Sequence, residues 1–188
     1  MKKAIILHGK PTKEEYYVTD EDSQSNLHWL PWIQRELIRK DILAQTPELP
    51  RPYEPIYEDW LNIINQFKID KDTILIGHSF SAGFLIRYLN EHDIKVGKVI
   101  LVAPFINAGR VRDIDFFDFD IDPDLVSKTK GITLIASDND KEHIKDSVTE
   151  LSGSIKDIKY IELPNYGHFT FRHMQTREFP ELLEETLK

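Results

Sequence analysis

Apolar residues in this chain fall into short unbroken runs and longer stretches with helical spacing, and the two kinds alternate along its length. Residues 3–7 run Lys-Ala-Ile-Ile-Leu without polar alternation, the pattern of a parallel strand buried on both faces. His8 and Gly9 end it. Residues 10–27 are polar and acidic around Tyr16, Tyr17 and Val18, longer than most connections in a compact domain, and loops of that length are usually functional or disordered. The spacing of Leu30, Ile33 and Leu37, with Pro31 in the first turn, predicts a helix over 30–40. A short strand is expected over 41–46, before Pro47, Pro50, Pro52 and Pro55 stiffen an irregular connection. Ile56, Trp60, Ile63, Ile64 and Phe67 then recur at helical spacing, which most simply means a helix packed on a sheet.

The stretch 73–84 (Thr-Ile-Leu-Ile-Gly-His-Ser-Phe-Ser-Ala-Gly-Phe) reads as strand, serine, helix, and Ala82, Leu85, Ile86 and Leu89 form the buried face of that helix. Residues 97–103 make another branched, buried strand, which Pro104 ends. The rhythm breaks over 105–130, where Asp113, Asp115, Asp118, Asp120, Asp122 and Asp124 interleave with Ile114, Phe116, Phe117, Phe119 and Ile121. Those aspartates do not fit a twelve-residue calcium loop with its central glycine and terminal glutamate, so a solvated loop anchored by phenylalanines is expected and no metal site. A strand over 132–136, a helix over 141–151, a strand over 158–163 and a helix over 176–187 complete the chain. Alternation of this kind predicts an α/β fold: a mostly parallel sheet with helices on both faces, in three layers.

The chain has 188 residues, 40% of them hydrophobic, which suits one domain over 1–188. It contains no cysteine, so disulfides, thiolate metal sites and cysteine nucleophiles are excluded, and a reducing, cytoplasmic setting is compatible. The apolar run near the N-terminus is too short for a signal peptide or a membrane span. A net charge of −8 disfavours nucleic acid and anionic membranes as partners, leaving a small molecule or a protein.

The chemistry centres on Ser79. A serine after a buried strand ordinarily caps a helix. On a sharp strand-to-helix turn, however, its hydroxyl projects to where a base can reach it, and Gly77 two residues earlier leaves room for the turn. Position 81 departs from the usual G-x-S-x-G pattern by carrying Ser81. A serine nucleophile needs an imidazole, itself oriented by a carboxylate. His8, His28, His78, His92 and His143 each have a simpler structural reading. His168 stands on a glycine-containing loop after the last strand and is the best base. Asp138 and Asp140 follow the strand before it, and spacing does not choose between them. Serine, acid, histidine is the chain order of the α/β-hydrolases.

With the opening strand ending His8-Gly9, the segment His28-Trp29-Leu30-Pro31-Trp32, the proline-rich connection before Trp60, Gly77-His78-Ser79, the aspartate pair and Gly167-His168-Phe169, nearly the whole chain resembles the small α/β-hydrolase-fold serine hydrolases of the retinoblastoma-binding protein 9 type. The resemblance implies a compact fold with no large cap domain, and Asp140 as the acid. Backbone N–H donors for an oxyanion are then expected from Phe80 and from the loop after the first strand, at Gly9 or Lys10, with Lys10 preferred because Pro11 has no N–H. Residues 10–27 and 105–130 are expected at the rim, with Phe116, Phe117 and Phe119 against substrate. The expected reaction is hydrolysis of a small carboxylic ester or related acyl compound through an acyl-serine, without metal or organic cofactor. Amide cleavage by the same residues, or a non-catalytic module binding a protein or ligand, are the alternatives.

Overall fold

The structure is a computed structural model describing residues 2–20, 22–108 and 115–188. Six parallel strands form one sheet: β1 (Lys3–Leu7), β2 (Leu43–Gln45), β3 (Thr73–His78), β4 (Val99–Val102), β5 (Ile132–Ser137) and β6 (Lys159–Leu163), in the order β2-β1-β3-β4-β5-β6. β1 and β3 lie side by side, second and third in that order, with Ile5 opposite Leu75 and Leu7 opposite Gly77. From β1 the chain steps outward one way to β2, and from β3 it steps the other way. That reversal opens a crevice beyond the carboxyl ends of β1 and β3, the place where open α/β sheets collect ligands.

Parallel neighbours need crossover connections, and helices supply them on both faces. The helix α2 (Leu30–Ile38) packs with the last helix, α7 (Pro180–Leu187), on one side. On the other lie α3 (Tyr57–Ile64), α4 (Phe80–Glu91) and α5 (Glu142–Ser154), with the Trp60 and Phe84 rings of α3 and α4 5.7 Å apart. Two single-turn helices, α1 (Lys13–Tyr16) and α6 (Phe171–Met174), complete the set among the described residues. β1, β3, β4 and β5 are buried almost throughout, and Trp29, Trp60, Phe84, Phe169 and Phe179 are the largest fully buried side chains.

The architecture is the expected one, with differences at its margins. The second strand covers only Leu43–Gln45. The last helix begins at Pro180 rather than at 176, because proline suits the first helical position and ill suits a later one. β6 is an edge strand with much of its length exposed, Tyr160 by 46%. The loop 10–27 contains α1 and a 3-10 turn at Gln24–Asn26, while the segment 105–130 contains 3-10 turns at Asp115–Phe117 and Leu125–Lys128. Asp113 and Ile114, part of the acidic and aromatic pattern, lie outside the described residues.

Candidate active site

Ser79 stands where β3 gives way to α4, with φ 57° and ψ −115°. Such a backbone costs a non-glycine residue of order 1–3 kcal/mol and persists only where its surroundings enforce it. The enforcement is visible. The Ser79 N–H donates to the Val102 carbonyl on β4 at 2.8 Å, and the Ser79 carbonyl accepts from Phe105 and Ala82, each at 3.1 Å. A side chain at Gly77 would put its Cβ 2.7 Å from the Ala82 Cα, and one at Gly83 would put it 2.0 Å from the Phe105 carbonyl oxygen. Glycine at both positions lets α4 come down onto the sheet.

Ser81, where the common pattern has glycine, is fully buried and makes bonds that a glycine could not. Its Oγ accepts the His78 N–H at 3.0 Å and lies 2.8 Å from the Leu7 carbonyl of β1, to which its hydroxyl donates. The departure therefore ties β1, β3 and α4 together at the bend.

His168 meets Ser79 from the loop after β6. Its Nε2 lies 2.8 Å from Ser79 Oγ, and its Nδ1 lies 2.9 Å and 3.1 Å from the two Asp140 carboxylate oxygens. A carboxylate only accepts, so Nδ1 carries the proton and Nε2 offers its lone pair to the serine hydroxyl. The Asp140 side chain is 2% exposed, and Oδ1 also accepts the Lys141 N–H at 2.7 Å. Asp138 points elsewhere, its Oδ1 accepting the Asn165 N–H at 2.7 Å. It belongs to a latch. Ser137 Oγ accepts the Tyr166 N–H at 2.9 Å and Asn139 Oδ1 the Gly167 N–H at 2.7 Å, so three consecutive side chains beyond β5 hold three consecutive amides beyond β6.

Two further imidazoles grip the His168 main chain. His78 donates Nε2–H to the His168 carbonyl at 2.9 Å, with its ring centroid 5.2 Å from that of His168. His173 accepts the His168 N–H on Nδ1 at 3.2 Å. Burial pushes the His78 pKa well below its ordinary value, and His168 and His28 nearby push it the same way, so His78 is neutral. Its Nδ1 is buried without a hydrogen-bond partner among the described residues. His8 is likewise held low by burial, against the opposing pull of Glu48; it donates Nδ1–H to the Gly9 carbonyl at 2.8 Å and accepts the Leu49 N–H on Nε2 at 2.9 Å. The sequence pattern points to none of these roles for His78, His173, Ser137 or Asn139. The only signal is that two polar clusters each follow a strand end, and nothing in their spacing pairs them.

The loop after β1 runs past the serine, since a Cβ on Gly9 would lie 3.4 Å from the Ser79 Cβ. Phe116 and Phe117, expected against substrate, are only 5% exposed, with centroids 4.7 Å and 4.6 Å from that of Phe80. They form buried packing beneath the bend rather than an open face, because Trp60, Phe84 and Phe105 close over them. Phe119 lines a cavity of about 240 Å³ with Phe117, Ile106, Ile121 and Ser154. Among the described residues no three His, Asp or Glu side chains are grouped to hold a metal ion, and no helix is long and apolar enough to cross a membrane.

A doubly wound parallel sheet with serine, histidine and aspartate meeting at its switch point defines an α/β-hydrolase. The family described as serine hydrolase matches residues 21–184, and the chain belongs to it. YdeN of Bacillus subtilis strain 168, named as a candidate hydrolase, is 27% identical over 166 residues, covering 84% of this chain and 86% of that protein. The crystal structure of the ydeN gene product superposes with a TM-score of 0.82 at 24% identity, over 100% of this chain and 97% of the other. Est1E from Butyrivibrio proteoclasticus is similar in fold alone, with a TM-score of 0.62 at 15% identity over 99% of this chain and 86% of its own.

Proposed function

We propose that this serine hydrolase cleaves a small carboxylic ester or related acyl compound through an acyl-enzyme on Ser79. The observation that carries the reading is the continuous path from Ser79 Oγ through the His168 ring to Asp140, with bonds of 2.8 and 2.9 Å. As Oγ attacks the acyl carbon, Nε2 of His168 takes the hydroxyl proton, and Asp140 stabilises the imidazolium. The negative charge that develops on the acyl oxygen is met by the N–H groups of Phe80 and Lys10. His168 then returns its proton to the departing alcohol oxygen, and a water activated in the same way hydrolyses the acyl-serine. His78 and His173 are positioning residues: they fix the His168 backbone and leave its ring to carry the proton.

The test is a fluorophosphonate probe followed by mapping of the modified residue. Label on Ser79 in the wild-type chain and none in Ser79→Ala is expected. A Ser79→Ala chain that retained its turnover would overturn the mechanism, because removing a member of such a unit costs about six orders of magnitude.

A further inference from the structure

Three tyrosines form an aromatic cluster that the hydrophobic core does not use. Tyr16 on α1, Tyr17 just after it and Tyr53 on the proline-rich connection have ring centroids 5.1, 5.2 and 5.7 Å apart, and the hydroxyls of Tyr17 and Tyr53 lie 3.1 Å apart. None of the three belongs to the core or packs against it, and Tyr17 is 60% exposed. Large aromatic surface left in water costs free energy, and tyrosine rings held this way are characteristic of sites that bind.

Its position gives the cluster a function. The Lys10 ammonium donates to the Tyr53 carbonyl, so the cluster stands one lysine side chain away from the amide proposed to meet the oxyanion. Gly9, the next residue back, lies against Ser79. α1 is fixed rather than loosely attached: the Thr12 hydroxyl accepts the Glu15 N–H at 3.1 Å, and the Glu15 carboxylate accepts the Thr12 N–H at 2.7 Å. The Lys13 ammonium sits 5.7 Å from the centre of the Tyr53 ring, which further steadies that ring. The rings are therefore anchored by their own loop, with the Tyr17 ring largely exposed, and the Tyr17–Tyr53 hydroxyl pair, in which one phenol donates to the other, keeps one O–H and free lone pairs to offer.

Resting on the serine hydrolase reading above, we propose that Tyr16, Tyr17 and Tyr53 form a substrate subsite that takes a flat aromatic group of the ester. The rings stack on it, and the phenols hydrogen-bond a polar substituent it carries. The alternative is that the tyrosines only pin the loop to the proline-rich connection.

The test compares two fluorophosphonates with tails of equal length, one ending in phenyl and one purely alkyl, by the rate at which each adds to Ser79. In the wild-type chain the phenyl reagent should react about tenfold faster, the scale of a stacking contact. Tyr17→Ala and Tyr53→Ala should bring the ratio of phenyl to alkyl rates down to about one, while Tyr17→Phe keeps most of the preference. Equal rates in the wild type, or a preference that survives both alanine variants, would overturn the subsite while leaving Ser79 as nucleophile. A fall in both rates together would assign the cluster to loop packing and overturn it as well. Absence of label on Ser79 with either reagent would instead sink the hydrolase mechanism, and this subsite with it.

Discussion

The two halves of the candidate site are built by different physics. On the serine side the geometry comes from sterics within and around one short segment: glycines at 77 and 83 admit backbone contacts that a methyl group would block, and Ser79 is bent because strand, helix and the Phe105 amide leave it no alternative. On the histidine side, polar bonds between distant segments set the geometry. Ser137, Asp138 and Asn139 hold residues 165–167, while His78 and His173 hold the two ends of the His168 peptide unit. A close-packed bend tolerates no added volume, whereas a polar latch tolerates volume and fails when a donor or acceptor is lost or changes its charge.

The largest expected effect separates the two aspartates within the polar half. On the proposed mechanism, Asp140→Asn offers an amide to the ring N–H and favours the wrong tautomer of His168, at a cost of about four orders of magnitude in turnover. Asp138→Asn keeps a carbonyl oxygen where the Asn165 N–H needs an acceptor, and its turnover should stay near that of the wild type. Steady-state rates of both variants, each checked by melting temperature, decide the matter. Near-normal activity of Asp140→Asn with an inactive Asp138→Asn would reverse the assignment.

Next in size is the steric half. Gly83→Ala forces a methyl carbon to within 2.0 Å of the Phe105 carbonyl oxygen and 2.6 Å of the Phe117 ring. Overpacking of that kind costs about 1–3 kcal/mol. The expected result is a lower melting temperature together with slower labelling of Ser79, because the displaced atoms are those that hold the bend. An unchanged melting temperature would mean that the bend is softer than its contacts imply.

The same division explains what could be read from the sequence. Strands β1, β3, β4 and β5 announce themselves because burial on both faces requires unbroken apolar runs, and the glycine-flanked serine follows from sterics confined to a dozen residues. The parallel sheet follows from the alternation. Ser81 is read there only as a departure, since its acceptor, the Leu7 carbonyl, is seventy-four positions away. The latch is invisible for the same reason: Ser137, Asp138 and Asn139 look like ordinary turn residues until the loop after β6 is laid against them. Phe116 and Phe117 mislead in the opposite direction. Aromatic residues in an acidic loop suggest a surface that meets substrate, but tertiary packing with Trp60, Phe80 and Phe84 draws both rings inside.

The smallest expected effect is one of pH, and it falls on the histidine side. Burial lowers the pKa of His28 to about 4, helped by the positive charge that His168 and Arg177 can carry, and its Nδ1 accepts the Phe171 N–H at 3.2 Å in the loop beyond His168. In the unfolded chain the same imidazole titrates near 6.5. Because the folded value is the lower of the two, the unfolded state takes up the proton first as pH falls. The stability that His28 contributes is therefore complete above about 6.5 and is lost progressively down to about 4. His8 and His78, also lowered by burial, act in the same direction. A protonated His28 places a proton on the nitrogen that accepts from Phe171, so acid loosens the loop carrying His168. The melting temperature of the wild-type chain should fall between pH 7 and pH 5, and His28→Gln, whose amide oxygen can accept the same N–H without titrating, should fall by less. Identical falls in the two chains would remove His28 from the account and leave His8 and His78 to explain the slope.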